Sequence, residues 1–211
     1  IYDQKFFPNI SLNYAENIIL SLNSTPIIFI NEKGFRQEIS KQEIITKVSR
    51  LSSYLRSIGI RKGDRIAAIS ANTPNTLISF LAVNTIGAIW SSCSPDYGKA
   101  AILDRFNQIE PKVLLYSEMY FYGGKKFNIR DKVSNVINEM KTLKKSLCIN
   151  YQDTKEEDIE KDITDINSIF NDDKSSEELE FEICSFNDPM YILYSSGTTG
   201  KPKCIVHNIG G

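Results

Sequence analysis

Histidine and tryptophan are almost missing from this 211-residue chain, which has one of each, His207 and Trp90. Cysteine is sparse as well: Cys93, Cys148, Cys184 and Cys204 are scattered, and no two form a CxxC pair. A lone histidine and unpaired cysteines exclude the usual zinc-ligand patterns and a disulfide framework. Free thiols in a reducing, cytoplasmic setting are the default reading. No apolar run approaches the roughly 20 residues that span a bilayer. No secretory leader is legible either, although the chain opens on Ile1 rather than methionine.

What is present is ordinary globular material, 41% hydrophobic, with a formal net charge of −1. That charge is unevenly spread. Residues 151–182 hold 13 Asp/Glu against three Lys, which leaves 22 Lys/Arg against 13 Asp/Glu in the rest. The basic remainder suits an anionic small molecule such as a nucleotide or coenzyme A, and equally suits scattered surface lysines beside an acidic loop. Residues 151–182 read as an acidic surface loop or insertion, with one short helix near Ile163–Phe170.

Elsewhere strand and helix patterns alternate at short intervals. Ser11–Leu22 reads as a helix capped by Ser11. Pro26–Ile30 and Phe35–Ile39 read as strands around a turn at 31–34. Ser40 opens a helix as a capping box with Glu43, and Gly59 closes it. Arg65–Ser70 is a strand, and Thr73-Pro74 starts a helix that is apolar nearly all round and therefore buried. Ala88–Trp90 is a strand, Lys99–Ile109 a helix ended by Pro111, and Val113–Tyr116 a strand. Asp131–Met140 is helical and Leu147–Ile149 extended. This rhythm predicts an α/β fold of βαβ units with a mostly parallel sheet, whose ligands would sit at the carboxyl ends of the strands.

The densest chemistry lies near the end. A strand, Met190–Tyr194, runs into Ser195-Ser196-Gly197-Thr198-Thr199-Gly200-Lys201-Pro202-Lys203. The glycines let backbone N–H groups approach a ligand, the hydroxyls donate to phosphate oxygens, and Lys201 and Lys203 add point charges. The combination is a polyphosphate grip. It is not a Walker loop, because the glycines are too close and Pro202 follows the lysine. Cys204–His207 then reads as a strand, so the loop joins strand to strand. A helix beginning at Pro202 would instead favour a nucleotide phosphotransferase. A plain Ser/Gly turn is the bland alternative.

The stretch Tyr194–Lys203 resembles the signature loop of the adenylate-forming (ANL) superfamily. The resemblance implies that Ser195 to Lys203 clamp the β- and γ-phosphates of ATP while a carboxylate attacks the α-phosphorus. Phe7-Pro8 and Leu12–Asn17, Gly87–Gly98, Arg105–Lys112 and Ile205–His207 are similar to the acetoacetyl-CoA synthetases within that superfamily. Two positions depart from their pattern: Phe6 stands where tryptophan is usual, and Cys204 where a small residue is usual. Acetyl-CoA synthetases carry glycines where this chain has Ser91 and Ser92.

The resemblance implies ATP, Mg²⁺ and coenzyme A as cofactors, a short carboxylate as substrate, and no nucleic-acid or membrane partner. It places Trp90, Ser91 and Ser92 near the coenzyme A face, with core packing as the competing reading for Trp90. It also implies that Lys125, and with it Lys126, in the basic loop Tyr122–Lys126 meet the coenzyme A 3′-phosphate; a solvated lysine pair is the alternative. His207 reads as a strand histidine and Cys93 as structural. Residues 1–211 are expected to be the first part of a larger AMP-binding domain, whose magnesium-binding acid, ribose-binding acid and catalytic lysine lie beyond Gly211. Two rivals keep the fold: the same chemistry on another short acid, and an inactive nucleotide-binding relative.

Overall fold

The structure, a computed structural model, describes residues 6–22, 26–149, 164–172, 179–195 and 200–211. At its centre is a seven-stranded sheet. Its strands are β4 (Arg65–Ile69), β5 (Ile89–Cys93), β6 (Val113–Tyr116), β9 (Lys145–Cys148), β10 (Thr164–Asp165), β12 (Pro189–Ser195) and β13 (Lys203–Asn208), in the order β10-β9-β6-β4-β5-β12-β13. All neighbours are parallel except β12 and β13, which form an antiparallel edge. The βαβ rhythm of the sequence is thus the architecture.

Strand alternation feeds two cores. Ile66, Ala68, Trp90, Val113, Leu115 and Leu147 face one side, under α1 (Tyr14–Ser21), α2 (Lys41–Ser57) and α3 (Pro74–Thr85). Ala67, Ile69, Leu114, Tyr116, Cys148 and Ile192 face the other, under α4 (Lys99–Ile109) and α5 (Arg130–Glu139). A sheet covered on both faces has no use for polar alternation, which is why Ile66 to Ile69 are uninterrupted and fully buried.

Helix starts follow their caps. The Ser40 side chain accepts from the Glu43 N–H at 3.1 Å, and that of Thr73 from the Thr76 N–H at 3.3 Å with Pro74 in the first turn. The first helix corrects the expectation. Asn13, not Ser11, is its cap, while Ser11-Leu12 form β1 and pair with β11 (Cys184–Ser185). Asn13 is the better anchor because its amide also reaches the carbonyls of Asn84, Thr85 and Glu182. At the end of α4 the stop is Glu110 itself, in a left-handed conformation (φ 47°), one residue before Pro111.

Three small pairings complete the frame: β1 with β11, β2 (Ile27–Ile30) with β3 (Arg36–Ile39), and β7 (Met119–Tyr122) with β8 (Lys125–Asn128). The acidic stretch is not wholly a surface loop. Thr164–Asp165 extend the sheet, and α6 (Ile166–Phe170) buries Ile166, Ile169 and Phe170 in the first core. Residues 151–163 and 173–178 of that stretch lie outside the described residues. Among the described residues no helix is long and apolar enough to cross a membrane.

Candidate functional site

The chain leaves β4 for α3 on one face of the sheet and leaves β5 for α4 on the other. Loops departing in opposite directions from neighbouring parallel strands open a crevice at their carboxyl ends. A cleft of about 560 Å³ lies there, walled by Ser70–Asn72 after β4 and by Ser92–Asp96 at the end of β5. Tyr120, Phe121 and Tyr122 of the β7–β8 hairpin form its third wall. Beside it, sharing Asn72 and Ser92, is a more apolar cavity of about 400 Å³ bounded by Ile27, Phe29, Leu77, Phe80, Trp90 and Tyr191.

Strand alternation separates the three β5 candidates. Trp90 is only 3% exposed, packed edge-on to Phe80 with ring centroids 5.7 Å apart, so it is a core aromatic that presents a wall to the apolar cavity. Ser91 points to the opposite face, fully buried. Its hydroxyl lies 2.9 Å from the Ile192 carbonyl and 3.1 Å from the Tyr194 hydroxyl. Those bonds spend the Ser91 hydroxyl inside the protein and take it out of reach of a ligand. Ser92 returns to the cavity side, shares a 3.0 Å hydrogen bond with the Tyr191 hydroxyl, and lines both spaces.

The glycine-flexed loop at Tyr122–Lys126 is the tip of a hairpin. Gly123 (φ 57°) and Gly124 (φ 74°) supply the two left-handed residues that a two-residue turn between twisted strands requires. Lys125 and Lys126 open its return strand and are exposed. The tip is tethered, since the Gly124 N–H donates to Glu32 Oε1 at 3.0 Å and Lys33 Nζ sits 3.8 Å from the Phe121 ring centroid. At the base, Arg130 binds the buried Glu118 carboxylate through two 3.1 Å bonds.

The phosphate-loop residues fall on the β12–β13 hairpin. Ser195 is half-buried at the end of β12, directly opposite Lys203. Gly200 is left-handed (φ 95°), Pro202 is buried, and Lys201 and Lys203 are exposed. Ser196, Gly197, Thr198 and Thr199 lie outside the described residues. Lys203–Asn208 is a strand, which removes the helix a phosphotransferase loop would need. Because β12 runs parallel to β5, this hairpin turns at the same end of the sheet as the crevice.

Helix α4 braces the hairpin at two points. The Tyr194 hydroxyl lies 3.3 Å from the Arg105 carbonyl, and Gln108 Nε2 donates to the Pro202 carbonyl at 3.0 Å. Burial pushes the Tyr194 phenol up to about 12, so it stays a neutral hydrogen-bonding group. The loop before α4 is held in turn by Lys132, whose ammonium donates to the carbonyls of Pro95 (2.5 Å) and Tyr97 (2.9 Å). Gln108 falls within the Arg105–Lys112 stretch, but neither it nor Lys132 had a role legible in the sequence, because their partners are distant backbone carbonyls that no local pattern encodes.

The profile of the AMP-binding enzyme family matches residues 23–211. The chain belongs to that family. Among curated relatives, this AMP-binding chain is 39% identical to the acetoacetyl-CoA synthetase of Xenopus tropicalis, over 98% of its own length and 32% of the relative's. It is equally 39% identical to the acetoacetyl-coenzyme A synthetase of Rhizobium meliloti, over 99% of its length and 32% of the relative's. The solved acetoacetyl-CoA synthetase of Streptomyces lividans superposes with a TM-score of 0.89 at 33% identity, covering 98% of this chain and 32% of that one. The chain therefore spans about a third of the length of the relatives it matches.

The remaining singled-out residues have quiet settings. Cys93 is buried, which pushes its thiol up to about 12, too weak an acid for a nucleophile at neutral pH. His207 is exposed on the edge strand β13, opposite Tyr191. No cysteine is in a disulfide.

Proposed function

We propose that this AMP-binding chain supplies the ATP-phosphate grip and part of the coenzyme A wall of an ATP-dependent acid–thiol ligase acting on acetoacetate. The observation that carries the reading is the β12–β13 hairpin. It sets Ser195 opposite Lys203, with Gly200 and Lys201 between them, at the carboxyl end of the parallel sheet. Acetoacetate is preferred over other short acids because the relatives at 36–39% identity over nearly the whole chain carry that acid in their names.

The acid's carboxylate attacks the α-phosphorus of ATP, the bond to the β-phosphate oxygen breaks, and pyrophosphate leaves. The thiol of coenzyme A then attacks the acyl carbon, releasing AMP and forming the thioester. This chain's part in the first step is electrostatic. Negative charge builds on the departing pyrophosphate, and Lys201, Lys203 and the donors of Ser195 to Gly200 answer it where it develops. Exposed lysines and a left-handed glycine suit a polyphosphate. Mg²⁺ bound with ATP would neutralise phosphate charge. The described residues contain no group of three acidic, cysteine or histidine side chains that could hold it. In the second step Ser92 faces the thiol-bearing ligand, Lys125 and Lys126 face its 3′-phosphate, and Trp90 and Ser91 hold β5 in place from its two faces. The cytosol is the proposed setting.

Products decide the matter. The full-length protein with ATP, coenzyme A and acetoacetate should release AMP and acetoacetyl thioester in equal amounts, with acetate a poorer acid. Release of ADP would overturn adenylation, and a preference for acetate would move the substrate. Lys125→Ala with Lys126→Ala should raise the KM for coenzyme A about tenfold and leave that for ATP unchanged, as loss of a charge-assisted contact requires. An unchanged KM for coenzyme A would overturn the coenzyme A role of both lysines.

A further inference from the structure

Helix α4 meets the hairpin at two points one turn apart. At the first, the Tyr194 hydroxyl reaches the Arg105 carbonyl, while the Arg105 guanidinium lies 4.7 Å from the Tyr97 ring centroid and 5.8 Å from that of Tyr194. This contact holds the incoming limb, β12. At the second, the Gln108 amide holds the outgoing limb. Its Nε2 donates to the Pro202 carbonyl at 3.0 Å and to the Asp104 carbonyl of its own helix at 2.6 Å. Its Oε1 accepts the Cys204 thiol at 3.7 Å. The two hairpin contacts bracket Lys203.

The chain needs such a bracket at this point. The β12–β13 ladder ends at the Ser195–Lys203 pair, so nothing in the sheet fixes residues 200–202. Pro202 has no N–H and cannot continue the ladder as a donor. Its carbonyl is left to Gln108. Gln108 itself is exposed, so it has no packing duty that would explain its two contacts with the hairpin.

We propose that Gln108 is a positioning residue of the ATP site, fixing the outgoing limb so that Lys201 and Lys203 stand where the β- and γ-phosphates arrive. The inference rests on the reading of those lysines as phosphate ligands. Gln108 touches no substrate. Its effect passes through the backbone of Pro202, and a lysine displaced by about 1 Å loses much of its value to a developing charge.

The test uses the full-length protein and acid-dependent exchange of labelled pyrophosphate into ATP, with Gln108→Met, Gln108→Glu and Lys201→Ala. Methionine keeps the length and the helix preference but loses the amide. Glutamate keeps the shape but sets an acceptor against the Pro202 carbonyl. Both should raise the KM for ATP about three- to tenfold, as the loss of one or two hydrogen bonds implies, and leave the KM for the acid and the melting temperature unchanged. An unchanged KM for ATP in both Gln108 variants, with Lys201→Ala raising it, overturns the positioning role alone. A melting temperature that falls along with all the kinetic constants also overturns it, since Gln108 would then be merely structural. If Lys201→Ala itself leaves the KM for ATP untouched, the phosphate-grip reading falls, and the role of Gln108 with it.

Discussion

Asp64 shows how much a single side chain can tie together. Its carboxylate takes the Arg61 N–H at 3.0 Å, closing the turn before β4, and pairs with Lys112 at 2.5 Å, tying the strand start to β6. Burial pulls its pKa up, but the Lys112 bond, the Arg61 N–H and the charges of Lys112 and Arg65 outweigh it and hold the group below its ordinary 3.8. A carboxylate depressed in the folded state adds stability that is fully present above pH 3.8 and is lost as pH falls through the folded value. Asp64→Asn should therefore lower stability at pH 7 by about 1 kcal/mol and flatten the acid limb of a stability–pH curve below about pH 4. Denaturant melts at pH 7 and pH 3 check this. A variant equal to wild type at pH 7 would contradict it. Asp188, held down by Lys62 and the Ser185 N–H against its own burial, acts in the same direction and will leave some acid sensitivity in the variant.

Among the elements, the turn from α3 to β5 leaves no room for a side chain. Gly87 is left-handed (φ 66°), and its carbonyl accepts the Gly63 N–H at 2.9 Å. A Cβ there would meet Cys184 Sγ at 3.0 Å and the Glu182 and Lys62 Cγ atoms at 3.1 Å. Gly87→Ala should cost about 2–3 kcal/mol, combining left-handed strain with crowding. A thermal melt within 1 °C of wild type would rule that out; the expected loss is several times larger (~2–4 °C per kcal/mol for a chain of this size).

The start of that helix at Pro74 was legible in the sequence, and so were Ser40, Gly59 and the whole β4–β6 rhythm, because caps, stops and buried strands are written in adjacent residues. The β7–β8 hairpin was not. Met119–Tyr122 and Lys125–Asn128 lack clear apolar alternation, and the hairpin is tied by Glu118, Arg130 and Glu32, all outside the two strands and the last in another hairpin. Asn13 was missed as a cap for a similar reason: its three carbonyl partners are about 70 to 170 residues away. Ser91 and Ser92 look alike in sequence, and only the face each takes in the sheet separates a buried scaffold hydroxyl from one that opens on the crevice.

At the scale of the whole molecule, one end of the sheet gathers the candidate site. The crevice between the β4 and β5 loops, the basic hairpin tip and the β12–β13 hairpin all lie at the carboxyl ends of parallel strands. The opposite end carries turns such as Arg61–Asp64 that serve stability. This division follows from the sheet itself, which sends every strand but the antiparallel β13 out at the same end.

Acid-dependent pyrophosphate exchange into ATP by the full-length protein, without coenzyme A, tests the central claim most directly. The account predicts exchange with acetoacetate, little without added acid, and a loss of about a hundredfold when Lys201 and Lys203 are both changed to alanine, on the scale of removing transition-state charge donors. Exchange that ignores the acid, or that survives the double change at wild-type rate, would contradict it.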